Sequence, residues 1–315
     1  MTVAPGSVGL SGAGAAGDEQ VPLLDSTQVA LFVAKGFLRF DGVVPDPVNE
    51  ACLQEMKQDE ADGRTGTRSM LKAGNSVGLP LPQCFPHAPG IRSMLQLPLV
   101  RGVIQSLVGP GPLYDHHAVH VRYPGQPSQQ LHADAIIDTR LRFDIQLMYF
   151  PHDVPADMGG TLLVPGSHLR RVNEHDVSRY QNLAGQITYY GPAGSVLVLH
   201  HGIWHCGRRN ERDVPRYMFK LRLNPATEQI RCWDVGDLVD PDVRRRVLEV
   251  LRNREPWYEA ATGRLEFVNR AVLWRYLSGQ PDFDIDHWLG RLENAARPSL
   301  LEELPGYAAT NGRGS

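Results

Sequence analysis

The stretch from residue 113 to residue 230 consists of short apolar and β-branched runs that are separated by turn residues. Such runs predict strands, and no helical periodicity lies between them, which argues against parallel β-α-β units. An antiparallel jelly roll of two packed sheets fits this pattern best. The predicted strands are 118–123, 143–150, 161–166, 186–190, 195–201 and 216–223.

Helical patterns lie on both sides of this stretch. The first follows a cap at Asp25-Ser26-Thr27 and ends near Gly36, and the segment after it, FLRFDGVVPD, predicts a short strand and a turn. The fold class is therefore mainly β with flanking helices (α+β). Further helices are predicted over 47–62, 92–108, 241–253, 264–278 and 285–296.

Three parts of the chain are expected. Residues 1–20 are small and rich in Gly and Ala, which predicts a disordered tail, and residues 21–230 form the main domain. Residues 231–315 form a helical extension that packs on the barrel, caps its mouth or joins two copies into a homo-oligomer. The long polar loop 63–90 and the extension are the candidates for a lid over a binding site.

The charge of the chain bears on its partners, and its cysteines and lack of targeting signals bear on its compartment. The net charge is -3 and no long run of one sign occurs, so neither nucleic acid nor an anionic membrane is expected as a partner. The four cysteines form no C-x-x-C pair, which indicates free thiols in a reducing compartment. Since neither a signal peptide nor a membrane-spanning run is recognisable, we expect a cytoplasmic protein.

The segment His132-Ala133-Asp134 is a candidate metal-binding motif. In an extended chain, residues two apart point to the same side, so His132 and Asp134 can bind one metal. Chance alone gives on the order of one H-x-D in a chain of this composition. The motif therefore needs support from elsewhere in the sequence.

A third ligand is available at the end of the predicted strand 195–201, where His200, His201 and His205 compete for the role. Two histidines and one carboxylate leave three positions open, as non-haem Fe(II) oxygenases require for a co-substrate and dioxygen. A closed set of four ligands would indicate structural zinc instead.

Arg216 opens the last predicted strand of the barrel. Alternation places it with Met218, Lys220 and Arg222 on the face opposite Tyr217, Phe219, Leu221 and Leu223, which is the packing face. A guanidinium inside a barrel needs an anion. The far carboxylate of 2-oxoglutarate is one suitable partner, and a protein acid such as Asp144 is the other.

These motifs together resemble the phytanoyl-CoA dioxygenase family. The resemblance rests on His132-Ala133-Asp134, on His205 with Asn210 five and Arg216 eleven residues later, and on GGTLLVPGSH at 159–168. It covers roughly residues 26–223. It implies a double-stranded β-helix (cupin-like) fold and an enzyme that uses Fe(II), 2-oxoglutarate and O2.

Carried over by position, the resemblance makes His132, Asp134 and His205 the iron ligands and Arg216 the anchor of the co-substrate. Asn210 would be a supporting hydrogen-bonding residue. His201 also has an arginine, Arg212, eleven residues later, but Cys206 stands where the family has asparagine. The spacing therefore favours His205.

Other residues are expected to face the co-substrate because of their places on the strands. Alternation puts Gln146 and Met148 on one face of the strand 143–150, and Arg122 faces inward from the strand 118–123. Thr161 begins the strand within GGTLLVPGSH. Alternatively, each of these residues is only a part of the barrel wall and does not contact the co-substrate.

Asp134 also bears on the reaction. Family members that halogenate carry a small residue in place of the acid, so the retained Asp134 favours hydroxylation. Desaturation, epimerisation and ring closure remain open outcomes of the same chemistry. The alternatives from other classes are a Zn- or Mn-dependent jelly-roll isomerase or hydrolase and a non-catalytic binding barrel. The expected substrate is a small-molecule metabolite or natural product.

Overall fold

A computed structural model describes residues 21–65, 87–134, 142–170, 182–253 and 260–285. The helices are α1 (Ser26–Lys35), α2 (Asp46–Ala61), α3 (Pro89–Gln96), α4 (Pro98–Val108), α5 (Pro241–Arg252) and α6 (Ala260–Ser278). The strands are β1 (Phe37–Phe40), β2 (Leu113–Arg122), β3 (Ile145–Phe150), β4 (Thr161–Leu163), β5 (Ile187–Tyr189), β6 (Ser195–His200), β7 (His205–Gly207) and β8 (Arg216–Asn224). No helix in these ranges is long and apolar enough to cross a membrane.

The strands form two antiparallel sheets. The major sheet has the order β1-β6-β3-β8-β2, and the minor sheet has the order β5-β4-β7. Neighbours in both sheets come from distant parts of the chain, as in a jelly roll, and every pairing is antiparallel. The predicted fold class is confirmed.

The major sheet separates two apolar clusters. Leu147 and Tyr149 of β3 face the helices and join a large core, whereas Met148 and Phe150 face the minor sheet. Along β8, Phe219 likewise belongs to the helical side. The faces predicted from alternation are therefore those that the fold uses, and the polar positions of β3 and β8 point between the sheets.

Two elements differ from the prediction. The single helix expected over 92–108 is two helices, because Pro98 forces Leu97 into an extended conformation (φ -56°, ψ 136°) and starts a new helix. Strand β7 was not predicted, since three residues carry too little pattern to reveal a strand. In the structure, β7 is identified as a strand by its antiparallel pairing with β4.

The described part of the C-terminal extension packs on α1, behind the major sheet. The indole N–H of Trp233 donates to the hydroxyl of Ser26 at 2.9 Å, and Asp237 accepts from the backbone N–H of Ser26 at 2.9 Å. Trp274 is fully buried in the same core as Phe32. The predicted helix 285–296, apart from its first residue, and the predicted tail 1–20 lie outside the described residues.

Gly36 ends α1 in the left-handed conformation (φ 80°), and a Cβ on it would lie 2.4 Å from Nδ1 of the buried His168. We expect Gly36→Ala to lower the free energy of unfolding by about 2–4 kcal/mol, because backbone strain and a clash add. Gly63→Ala is the control, since Gly63 has a similar φ of 66° but open space around it. Its expected cost is about 1–2 kcal/mol. If urea denaturation shows equal losses of unfolding free energy for Gly36→Ala and Gly63→Ala, the expected clash with His168 is contradicted.

Candidate metal centre

The structure brings His132, Asp134 and His205 together between the two sheets. His205 begins β7, and the segment that contains His132 pairs with it through backbone hydrogen bonds of 3.0 and 2.8 Å. One ligand atom from each of the three side chains lies within 4.8 Å of the others. Among the described residues, this is the group of side chains that can hold a metal ion.

Both imidazoles are oriented by the backbone. Nδ1 of His132 lies 2.7 Å from the carbonyl of Gln130, and Nδ1 of His205 lies 3.1 Å from that of Ile203. A carbonyl only accepts, so each Nδ1 carries the proton and each Nε2 presents a lone pair. Burial lowers the pKa of His205 to about 3, which keeps this ring neutral and able to bind a metal.

Asp134 completes the group. Its Oδ2 lies 3.4 Å from Nε2 of His205, and its Oδ1 lies 3.8 Å from Nε2 of His132. Lys220 and Gln146 both donate to Oδ2, the former at 2.6 Å. Burial alone would raise the pKa of Asp134, but His205, Lys220 and Gln146 outweigh it and hold this pKa well below its usual value. The carboxylate is therefore charged and available as a ligand.

The two competing histidines occupy other places. Nδ1 of His200 accepts from the backbone N–H of Gly202 at 3.0 Å, and its ring stacks on Phe143 with centroids 4.9 Å apart. Nδ1 of His201 lies 3.8 Å from Oδ2 of Asp144. Neither residue belongs to the group that contains His132 and Asp134.

Arg216 is buried at the start of β8, with its guanidinium held by backbone carbonyls. Its Nη1 donates to Met158 at 3.0 Å and to Gly160 at 2.8 Å. The alternative prediction, that Arg216 pairs with Asp144, is wrong. Asp144 instead accepts a hydrogen bond from Nε of Arg222 at 3.0 Å. Burial and the neighbouring Arg122 lower the pKa of Arg216 to about 10.

Two guanidiniums face the space above Gly207, which lies two residues after His205. A Cβ at this position would lie 3.0 Å from Nη2 of Arg122 and 3.4 Å from Nη2 of Arg216. Within the described ranges, neither arginine has a carboxylate within 4.0 Å. Two like charges without a protein anion form a site for an anionic ligand, and glycine leaves room for it.

A cavity of about 280 Å³ connects these groups. It is lined by His120, Val121, Arg122, Gln126, Gln129, His132, Met148, Thr161, His205, Gly207, Arg216, Met218 and Lys220. The predicted residues Arg122, Thr161 and Arg216 thus share one cavity with the two histidines. No residue from the described part of the chain after 231 lines it.

Two residues were predicted near the co-substrate but lie beside the cavity. Asn210 donates to the carbonyls of Arg122 at 3.0 Å and Val214 at 2.7 Å, and its Oδ1 accepts from the backbone of Arg212. Its polar atoms therefore brace the loop between β7 and β8 against β2. Gln146 contacts Asp134, and its Oε1 is buried with no partner among the described residues.

Sequence reasoning assigned no role to Gln126, Gln129 or Lys220, which also line the cavity. For Lys220 a signal was present, because alternation along β8 already placed it on the same face as Arg216. The two glutamines precede His132 in an irregular segment, and no periodic pattern marks them.

Comparisons with known proteins bear on the family and the fold of the chain. The family model described as phytanoyl-CoA dioxygenase matches residues 32–218, more than half of the chain. HygX from Streptomyces hygroscopicus, solved with nickel and 2-oxoglutarate bound, has a TM-score of 0.50 at 18% identity, over 71% of this chain and 94% of that one. This likeness shows a shared fold.

A second solved structure, SnoN, is described as a non-heme alpha-ketoglutarate-dependent epimerase from nogalamycin biosynthesis. It has a TM-score of 0.49 at 19% identity, over 64% of this chain and 83% of that one. No curated protein sequence matches the chain.

Proposed function

The chain belongs to the phytanoyl-CoA dioxygenase family, and on this premise we propose that it is an oxygenase that hydroxylates a small molecule. Iron(II), 2-oxoglutarate and dioxygen are the metal and co-substrates of this family. The observation that carries the proposal is a two-histidine, one-carboxylate group at a cavity that two arginines also line, and for these arginines the described residues provide no acid.

In this proposal His132, Asp134 and His205 hold the iron. The donor set fits the ion, because both Nε2 lone pairs and a charged carboxylate point to one place and leave other positions open. When bound there, iron(II) with 2-oxoglutarate would supply the oxidising chemistry, in which one atom of dioxygen goes to succinate, formed with release of carbon dioxide, and the other goes to the substrate. The chain positions the reactants and limits the access of water.

Arg216 and Arg122 bind the far carboxylate of 2-oxoglutarate. The carbonyls of Met158 and Gly160 hold the guanidinium of Arg216 in place before the ligand arrives, which reduces the ordering cost of binding. The side-chain amide of Asn210 donates a hydrogen bond to the backbone carbonyl of Arg122 and so fixes the end of the strand that carries this arginine. The absence of a side chain at Gly207 avoids crowding of the two guanidiniums and of the amide oxygen of Gln129.

Two further residues have supporting roles. The hydroxyl of Thr161 lies in the wall of the cavity and is available for a hydrogen bond to the co-substrate. Gln146 orients Asp134 through its amide N–H. We propose that neither residue takes part in the oxidation itself.

The substrate class follows from the size and composition of the cavity. About 280 Å³ admits the co-substrate and part of a small molecule but no macromolecule, and Val121, Met148 and Met218 give it an apolar side. Since Asp134 occupies the ligand position that halogenating members vacate, we favour hydroxylation over halogenation.

The test is formation of succinate by metal-free protein to which Fe(II), ascorbate and 2-oxoglutarate are added in air, with and without a panel of small molecules. We expect iron-dependent succinate in the wild type and a loss of more than about 100-fold in Asp134→Ala, because one of three ligands is removed. Asp157→Ala is the control, since Asp157 is an exposed acid paired with Arg212.

Two results would contradict the proposal. One is succinate formation that is equal in Asp134→Ala and the wild type. The other is the complete lack of succinate together with hydrolysis or isomerisation of a panel member that depends on Zn²⁺ or Mn²⁺. The second result would establish the metal-dependent isomerase or hydrolase instead.

A further inference from the structure

Lys220 places an ammonium group directly against the acid of the candidate metal centre. Its Nζ lies 2.6 Å from Oδ2 of Asp134, and its side chain is largely buried in the cavity wall. The residues opposite it in the sheet are Ala118 on β2 and Met148 on β3, which offer no charge. Among the described residues, Asp134 is therefore the acid that Lys220 faces.

We propose that Lys220 competes with the metal for Asp134, so that the protein retains its metal firmly only when the co-substrate is bound. This inference rests on the proposed function. It assigns to Lys220 the role of a positioning residue that sets the affinity of the metal site.

The charges around the cavity support this role. Arg122, Arg216 and Lys220 line it as three cations, and Asp134 lies beside Lys220 as an acid to which no arginine of the described ranges is paired. A divalent ion on Asp134 adds two positive charges next to an ammonium that already uses the same carboxylate. Like charges at such short range oppose binding.

The co-substrate changes this balance, because 2-oxoglutarate brings two negative charges into the same cavity. One of them meets the arginine pair, and the other enters the region of the metal and Lys220. By linkage, a co-substrate that relieves the repulsion raises the affinity for the metal by the same factor by which the metal raises the affinity for the co-substrate. Lys220 thus increases the coupling between binding of the metal and binding of 2-oxoglutarate.

A different role for Lys220 makes the opposite prediction. If the ammonium only steadied Asp134 for coordination, its removal would weaken metal binding. A hydrogen bond that orients a carboxylate contributes less than the repulsion between an ammonium and a divalent ion a few ångströms away. Gln146 also keeps its own hydrogen bond to Oδ2 after Lys220 is removed.

The experiment measures binding of Mn²⁺ to the full metal-free chain, with the free ion counted by electron paramagnetic resonance, in the presence and absence of 2-oxoglutarate. We expect Lys220→Met to lower the Kd for Mn²⁺ alone by about tenfold. The further gain from 2-oxoglutarate should be smaller than in the wild type. Lys220→Arg retains the charge and should behave as the wild type does.

Lys57→Met is the matched control, because Lys57 is exposed on α2 and does not line the cavity, so the same charge is removed outside it. It should leave both Kd values unchanged. Lys220→Gln, which keeps a polar group in the cavity, repeats the test if Lys220→Met does not fold. Thermal unfolding adds an independent readout, since Mn²⁺ should raise the Tm of the Lys220 variants more than that of the wild type.

An unchanged or higher Kd for Mn²⁺ in Lys220→Gln and Lys220→Met would overturn the inference. If the wild type forms succinate while these variants bind Mn²⁺ more weakly, the proposed function stands and Lys220 only steadies Asp134. If the wild type binds no Mn²⁺ and forms no succinate, the proposed function fails and the inference fails with it.

Discussion

Replacing His205 with alanine is expected to reduce iron-dependent formation of succinate by more than about 1000-fold. Its Nε2 is the buried member of the ligand group, and its ring is fixed by the carbonyl of Ile203. No other described histidine lies within reach of both His132 and Asp134. Since loss of a supporting residue around a metal already costs 10- to 100-fold, loss of a ligand should cost more. Succinate yield per minute at saturating Fe(II) measures the effect.

His201→Ala is the matched control for this prediction. His201 is also a buried histidine close to Asp134, but it lies beside Asp144 and outside the ligand group. We expect the variant to keep turnover within about tenfold of the wild type, at the lower end of the cost of a change around a metal, because His201 does not belong to the ligand group. If His201→Ala loses turnover while His205→Ala retains it, His201 is the distal ligand and the proposed triad is wrong.

Arg216→Ala is expected to raise the KM for 2-oxoglutarate by about 100-fold or more. A buried, charge-assisted pair with the far carboxylate is lost, and the remaining Arg122 is held to the carbonyl of Pro127 at 3.0 Å and cannot replace it fully. Titration of 2-oxoglutarate at saturating Fe(II) separates this effect from a loss of kcat. Arg216→Lys should recover part of the affinity, because a lysine keeps the charge without the planar fork.

Arg212→Ala is the control, because Arg212 stands eleven residues after His201 as Arg216 does after His205. The side chain of Arg212 is exposed and its Nε donates to Asp157 at 2.9 Å. We expect an unchanged KM for 2-oxoglutarate. A rise in KM for Arg212→Ala, with none for Arg216→Ala, would mean that the spacing motif has been assigned to the wrong pair.

The fold was largely predictable because its signals are local. Alternation along β3 and β8 identified which side chains face between the sheets, and the Asp25 cap with Gly36 identified both ends of α1. The resemblance to the phytanoyl-CoA dioxygenase family is confirmed by the match over residues 32–218. The spacing of His205 and Arg216 then predicted which of several histidines and arginines meet in the cavity.

The remaining features depend on contacts between distant residues. The tautomers of His132 and His205 follow from the carbonyls of Gln130 and Ile203, which lie two residues away in irregular backbone. The pairing of Asp144 with Arg222 and of Asp134 with Lys220 depends on which strands are neighbours. No periodic pattern in the sequence predicts a histidine tautomer or an ion pair between distant residues.

The extension after residue 231 shows the same limitation. Its two described helices were predicted, but the surface on which they pack was not, because an amphipathic helix does not specify the surface that it covers. In the structure, Trp233 and Trp274 bury against α1 rather than the mouth of the barrel. We propose that the described part of this segment, residues 232–253 and 260–285, stabilises the helical layer behind the major sheet.

The most direct test of the central claim is an anaerobic titration of the metal-free wild type with Fe(II) and 2-oxoglutarate, followed in visible light. Chelation of 2-oxoglutarate to iron held by His132, Asp134 and His205 predicts a charge-transfer absorption that needs both additions and disappears in air as succinate forms. The same absorption should be missing in His205→Ala. If no absorption appears with both additions, and no succinate follows on exposure to air, the chain does not use iron and 2-oxoglutarate in the way proposed.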